Sequence, residues 1–204
     1  MPRVLTESDI ANFRERLCEL ATQIYVERGP ENFNMRLLAS ELGVSAMTPY
    51  RYFKDKDEIL SAIRARAFNR FADQLERAIE SADTPPEKSM AVGKAYIRFA
   101  LEEQTCFRLI FDFNEPKGTP VPELAAAAAR AKATMTTHVR MMVKDGYFQG
   151  DPELIGHVLW AGLHGVVVLH LSGKLYGDID LFKLLDEVRR VLRGAYAVKM
   201  PVSA

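Results

Sequence analysis

Apolar residues recur every three or four positions along most of the chain, and alternation with period two is nearly absent, so the pattern predicts helices and no sheet. The first run follows a Thr/Ser/Asp cluster at residue 6, carries Ile10, Phe13, Leu17, Leu20, Ile24 and Tyr25, and stops at Gly29-Pro30. Asn34 can cap a short segment whose Leu38, Ala39 and Leu42 share a face before Gly43 ends it. Ser45 can cap a second short helix, "AMTPYRYF", and Lys54 to Asp57 form a charged turn. Ile59, Leu60, Ile63, Ala67, Phe71, Leu75 and Ile79 then mark a long helix, closed by Asp83-Thr84-Pro85-Pro86.

From Glu87 onward Val92, Tyr96, Ile97, Phe99, Ala100 and Leu101 continue the helical pattern, and Thr105 is the expected cap of a short helix with Phe107, Leu109, Ile110 and Phe111. Residues 114–122, with their prolines, read as a loop, and 123–144 as an alanine-rich helix. Residues 152–171 are almost wholly apolar, the β-branched "HGVVVLHL" included, and 179–196 carry Phe182, Leu185, Val188, Val191, Leu192 and Ala195 on one stripe. The expectation is an all-α chain of about nine helices with a loose tail, "VKMPVSA".

The two short segments joined by Gly43-Val44 read as a helix-turn-helix: the glycine permits a sharp reversal, and Val44 can pin it to the core. In this motif the second helix enters the DNA major groove with its N-terminal residues toward the base edges. Pro49, near the start of that helix, removes an N–H that has no intrahelical partner in a first turn. Tyr50 and Tyr52 offer hydroxyls, Arg51 a fork of donors, and Thr48 a hydroxyl with a methyl suited to thymine. Phe53 is expected to turn back into the core.

Composition changes this picture little. The 204 residues carry 27 basic and 27 acidic groups, so a polyanion site has to come from a local patch. Residues 34–56 supply Arg36, Arg51, Lys54 and Lys56 against Glu41 and Asp55, a balance of +2. Cys18 and Cys106 read as apolar thiols rather than a metal or disulfide framework. No apolar h-region opens the sequence, and its uninterrupted apolar runs, 165–169 among them, are far below the ~20 residues of a membrane span. A cytoplasmic protein without a membrane partner is expected.

The segment "LLASELGVSAMTPYRYFKDKDEIL" resembles the signature of the TetR family of transcriptional regulators, with an apolar-Ala pair, a Gly-Val-Ser turn, a Thr-x-Tyr-x-[Tyr/His]-Phe recognition helix and a lysine-containing turn. The resemblance covers about residues 10–65 and implies an N-terminal DNA-binding domain, 1–56, followed by a ligand-binding and dimerisation domain, 57–204. It places Thr48, Tyr50, Arg51 and Tyr52 on DNA-facing positions, and Arg36 and Lys56 on phosphate-contacting ones. Ser45 with Asn34 supplies caps at the interface, Ala46 and Met47 occupy positions that the family varies to read sequence, and Asn34 stands where Thr or Ser is commoner.

Farther on, "WAGLHG" resembles the Trp-x-x-x-His-Gly motif of one group of TetR C-terminal domains. Trp160 and His164 share a helical face, where they either line a pocket or pack together as core. The resemblance implies a cavity for a hydrophobic effector; the candidates for its lining are Tyr96, Phe99, Phe107, Phe111, Met135, His138, Met142, Trp160 and His164. The apolar 152–171 helix must be covered on several sides. With the last striped helix it is expected to build a four-helix bundle across a two-fold axis, through Gly162, Gly165, Val166, Leu169, Leu181, Leu185, Val188 and Leu192.

Catalytic and metal signatures are missing. There is no Gly-x-Ser-x-Gly, His-Glu-x-x-His or Cys-x-x-Cys, "SGKL" lacks the first glycine of a phosphate loop, and His164 and His170 are badly spaced for chelation. Neither an enzyme nor a cofactor is expected. The expected function is a dimeric regulator, a repressor by family analogy, that binds a palindromic operator and answers to a small molecule. The alternative is a ligand-binding helical protein without specific DNA recognition.

Overall fold

The computed structural model describes residues 6–29, 32–111 and 121–198. Pro30, most of the 114–122 loop and the tail beyond 198 lie outside them. Eight α-helices occur among the described residues: α1 (Glu7–Arg28), α2 (Met35–Glu41), α3 (Lys56–Glu80), α4 (Pro85–Glu102), α5 (Gln104–Phe111), α6 (Pro122–Lys144), α7 (Pro152–Leu171) and α8 (Leu181–Tyr196). A single 3₁₀ turn, Pro49–Arg51, stands between α2 and α3. The only β-type pairing among these residues is an isolated antiparallel bridge between Phe148 and Ala197.

The helix boundaries follow from local chemistry. Thr6 and Asp9 form a capping box on α1, with the Thr6 N–H donating to Asp9 Oδ2 at 2.9 Å. Asn34 caps α2 by accepting the Leu37 N–H at 2.9 Å, and Asp180 caps α8 in the same way through Lys183. Thr84-Pro85-Pro86-Glu87 is a second capping box, with proline at the first helical position, and starts α4 rather than merely ending α3. Thr105 is not a cap: α5 begins one residue earlier, at Gln104, and takes Thr105 into its first turn.

The chain divides into two compact units, 1–70 with 104–128, and 71–103 with 129–204. The boundaries fall inside α3, after Arg70, and inside α6, after Ala128, so both helices run from one unit into the other. In the first unit α1 packs on α2 and α5, around Leu17, Ile24, Phe33, Leu38, Phe53, Ile59, Ile63 and Leu109. The buried Arg64 donates from Nε to the Leu109 carbonyl at 3.3 Å, so its charge is drawn onto a main-chain acceptor.

In the second unit α7 packs on α4 and α8. Phe71 meets Tyr96 and Phe99 edge-on, with centroids 5.9 and 5.0 Å apart. Val139, Met142, Phe148 and Ile155 form a separate buried cluster. Arg130 on α6 pairs with Asp73 and Glu76 of α3, which fastens those two helices within this unit. By length and composition α7 is apolar enough to cross a membrane; within the chain it is capped by Asp151 and buries Ile155, Gly156, Val166 and Val167, while Leu154, Val168, Leu169 and Leu171 stay exposed.

Candidate nucleic-acid interface and ligand cavity

The Gly43 turn, with φ of 65°, sends the chain from α2 into the segment that presents the expected reading residues. Proline sets the geometry of that segment. Pro49 has no N–H to reach the Ser45 carbonyl four residues back, and that carbonyl instead takes the Thr48 N–H at 2.8 Å. The next main-chain bonds, Arg51 to Thr48 and Tyr52 to Pro49, keep the same tighter spacing at 3.1 and 3.0 Å. The expected α-helix over 46–53 is therefore a turn followed by one 3₁₀ turn, because the proline deletes the donor that an α-helical ladder needs there.

This segment is anchored from below. Pro49 and Phe53 are buried, and the Arg14 guanidinium lies 4.1 Å over the Phe53 ring while donating to the Tyr52 carbonyl. The Tyr52 ring stacks on Phe13 at 4.6 Å and is half-buried, which makes it the most anchored of the candidate DNA-facing side chains. Ser45, Ala46 and Arg51 are exposed, as are Met47 at 67% and Tyr50 at 45%; Thr48 is half-buried. Ser45 Oγ accepts the Met47 N–H at 3.4 Å. Arg36 is exposed on α2, and Asn34 is committed to its cap. Glu41 is paired with Arg28 at 2.8 Å, so its charge is compensated locally. Lys56 Nζ lies 5.9 Å from the Phe33 ring at the start of α3, where Asp55 accepts the Glu58 N–H.

The second unit holds an apolar cavity of about 50 Å³ between α4, α6, α7 and α8. Of the candidate lining residues, Tyr96, Met135, His138 and Trp160 meet there. His164 stands behind them, sharing a 2.7 Å hydrogen bond between its Nδ1 and Tyr96 Oη and packing 5.7 Å from the Trp160 ring. Burial pushes the Tyr96 phenol well above its ordinary range, against a smaller opposing contribution from Trp160. The remaining candidates lie elsewhere. Phe99 is wholly buried beside Phe71, Met142 belongs to the Phe148 cluster, and Phe107 and Phe111 stack on each other in the first unit. A stripe repeating along one helix does not reveal which neighbour it faces.

Sequence reasoning missed the polar side of the cavity: Ser89 on α4, and Arg189 and Arg193 on α8. Their signal was present as two arginines one helical turn apart beside an apolar stripe. Burial pulls both guanidinium groups below arginine's usual range, and the Arg189 charge adds to this at Arg193. His138 is 6% exposed; burial first, and then Arg193, push its imidazole down to about 4.

The candidate dimer residues fall into two groups within the protomer. Val166, Leu181 and Leu185 are buried within the protomer. A Cβ on Gly162 would stand 2.4 Å from Leu192 and 3.0 Å from Val188 of the same chain, and both of those line the cavity. Gly162, Val188 and Leu192 thus meet in the seam between α7 and α8, and Leu185 lies in a groove with α3 and α4 residues, so part of the α8 stripe is spent within its own chain. Gly165 and Leu169 stay exposed, in the company of Val168, Leu171, Val191 and Phe182, the last at 65%.

Known proteins share this fold. A family model for the bacterial regulatory proteins of the tetR family matches residues 17–63, and one for the tetracyclin repressor-like C-terminal domain matches residues 89–193. The HTH-type transcriptional regulator Rv1816 of Mycobacterium tuberculosis is 21% identical over 193 residues, 80% of this chain and 82% of that protein. The structure of a protein of unknown function from Rhodococcus sp. RHA1 superposes with a TM-score of 0.80 at 24% identity, covering 97% of this chain and 100% of the other. A TetR family transcription regulator from Marinobacter aquaeolei VT8 gives a TM-score of 0.73 at 18% identity, with coverage of 95% and 100%.

Proposed function

The chain belongs to the TetR family of bacterial regulatory proteins, and from that premise we propose that it is a repressor that binds a palindromic operator as a homodimer and leaves it on binding a small, mostly apolar effector. The reading head in this proposal is 1–56, and 57–204 carries effector binding and dimerisation. The observation that carries it is the exposed face of Ser45, Met47, Tyr50 and Arg51, with Thr48 at its edge, held by a buried proline and phenylalanine. Hydroxyls and a guanidinium fixed in this way suit base edges, and Arg36 and Lys56 flank them for phosphates. Tyr52 contributes chiefly by locking the segment onto Phe13.

Pairing is supported by the exposed apolar residues of α7 and α8, Val168, Leu169, Leu171, Phe182 and Val191, which a second copy across a two-fold axis would cover. Effector control is supported by the cavity in the same unit. Its ~50 Å³ holds a few waters, whereas organic ligands occupy roughly 300–1,000 Å³, so an effector must spread α4, α7 and α8 to enter. Binding of that kind favours a different helix arrangement and so can be linked to DNA affinity.

The direct test is selection of bound sequences from random duplex DNA. Two inverted half-sites centred about one or more helical turns apart are expected. Recovery of no common sequence would favour the ligand-binding protein without specific DNA recognition.

A further inference from the structure

We propose that the cavity selects amphipathic anions, with an anionic head held by Arg189 and Arg193 of α8 and an apolar body against Trp160, Leu159 and Leu163. The proposal rests on the reading of this cavity as the effector site and names the chemical class it takes.

Two cations line a mostly apolar cavity whose other polar groups are Ser89, Tyr96, His138 and the Trp160 indole, and no carboxylate lines it among the described residues. The partners that they do have are weak. Arg189 Nη1 is 3.8 Å from Asp186, whose own side chain is 81% exposed, and Arg189 Nη2 is buried with no hydrogen-bond partner. Arg193 Nη1 reaches Ser89 Oγ at 3.4 Å, and its guanidinium lies 5.8 Å from the Phe148 ring. The two charges stand one helical turn apart and repel each other. Like charges drawn out of water without a counter-charge are unfavourable, and an anion between them removes both penalties at once.

The field outside the cavity has the same sign. Arg189 also lines a wider neighbouring groove that carries Arg77, Lys94 and Arg98, in which Glu102 is the lone carboxylate among the described residues. An anion approaching from that side is attracted before it reaches the cavity. The apolar walls supply the other half of the selectivity, because a bare inorganic ion gains nothing from Trp160, Leu159 and Leu163.

Trp160 is the sole tryptophan of the chain and lines this cavity, so its emission reports occupancy directly. Full-length protein would be titrated with decanoate, decyl phosphate and decanol. Decanoate or decyl phosphate is expected to shift the emission at concentrations at least ~10-fold lower than decanol, the loss expected when charge-assisted hydrogen bonds are absent. The ranking of the two anions tells a carboxylate site from a phosphate site. In the Arg189→Gln/Arg193→Gln double variant, anion binding is expected to weaken ~10- to 100-fold while decanol binding stays unchanged. Equal binding of decanol and both anions to the wild type overturns the proposal without need of any variant. So does a double variant that keeps full anion affinity but sediments as a monomer where the wild type is a dimer, since the arginines then serve the subunit contact. Gel shifts with the selected operator separate the two levels. Anion binding without operator release keeps this site and removes the effector role; release by decanol alone keeps the effector role and removes the anion site.

Discussion

Tyr50 and Arg51 owe their presentation to the residue before them. Pro49 forces the tight turn, its ring is buried, and the next two side chains are left outside. Arg51→Ala is expected to weaken operator binding by about 1–3 kcal/mol and relax specificity at one position, whereas Arg36→Ala should weaken binding evenly across sequences. Quantitative gel shifts on operator variants distinguish the two patterns. His138 makes a separate prediction. Its folded value of about 4 lies below the ordinary 6.5, so the neutral ring favours the fold fully above 6.5, and that contribution is lost as pH falls through 4. The gap corresponds to ~3 kcal/mol. His138→Leu should flatten the decline of thermal stability between neutral pH and pH 4; parallel curves for the two proteins would count against a buried neutral ring. Much of the local geometry of the proposed reading face was legible at this scale, because caps, glycine turns and proline act through their nearest neighbours. Arg189 and Arg193 were not, because their role depends on what α4 and α7 bring opposite them.

At the scale of elements, the boundaries of α7 and the caps of α1, α2 and α8 follow from the sequence almost unaided. Thr84 was legible too, in the Thr-Pro-Pro-Glu spacing, but the proline pair reads more loudly as a stop. What periodicity does not supply is the partner of each face. Gly162 illustrates this, since it serves the contact between α7 and α8 of one chain. Gly162→Val is expected to cost about 1–3 kcal/mol by overpacking against Leu192 and Val188, despite the better helix propensity of valine over glycine. Urea denaturation measures it, and an unchanged midpoint would mean that α8 can step aside without penalty.

At the scale of the whole molecule, the proposed pairing rests on the outer faces of the same two helices. Among the described residues nothing beyond its own helix backbone and chain neighbours lies within 4 Å of a Cβ at Gly165, so a bulky residue there is expected to be tolerated by the isolated chain. Gly165→Trp should therefore leave helix content unchanged while halving the mass seen by light scattering, and with it abolish operator binding. A dimer of undiminished mass would move the contact elsewhere.

The interleaving of the two units bears on how such a protein can be taken apart. Residues 1–70 are completed by 104–128, and Phe107, Leu109 and Ile110 are buried in that company. An excised fragment ending at Arg70 would leave Arg64 without its main-chain acceptor and uncover a sticky apolar flank. The proposed reading head, 1–56, is therefore expected to survive transfer to another protein only when the start of α3 and the distant 104–128 stretch travel with it.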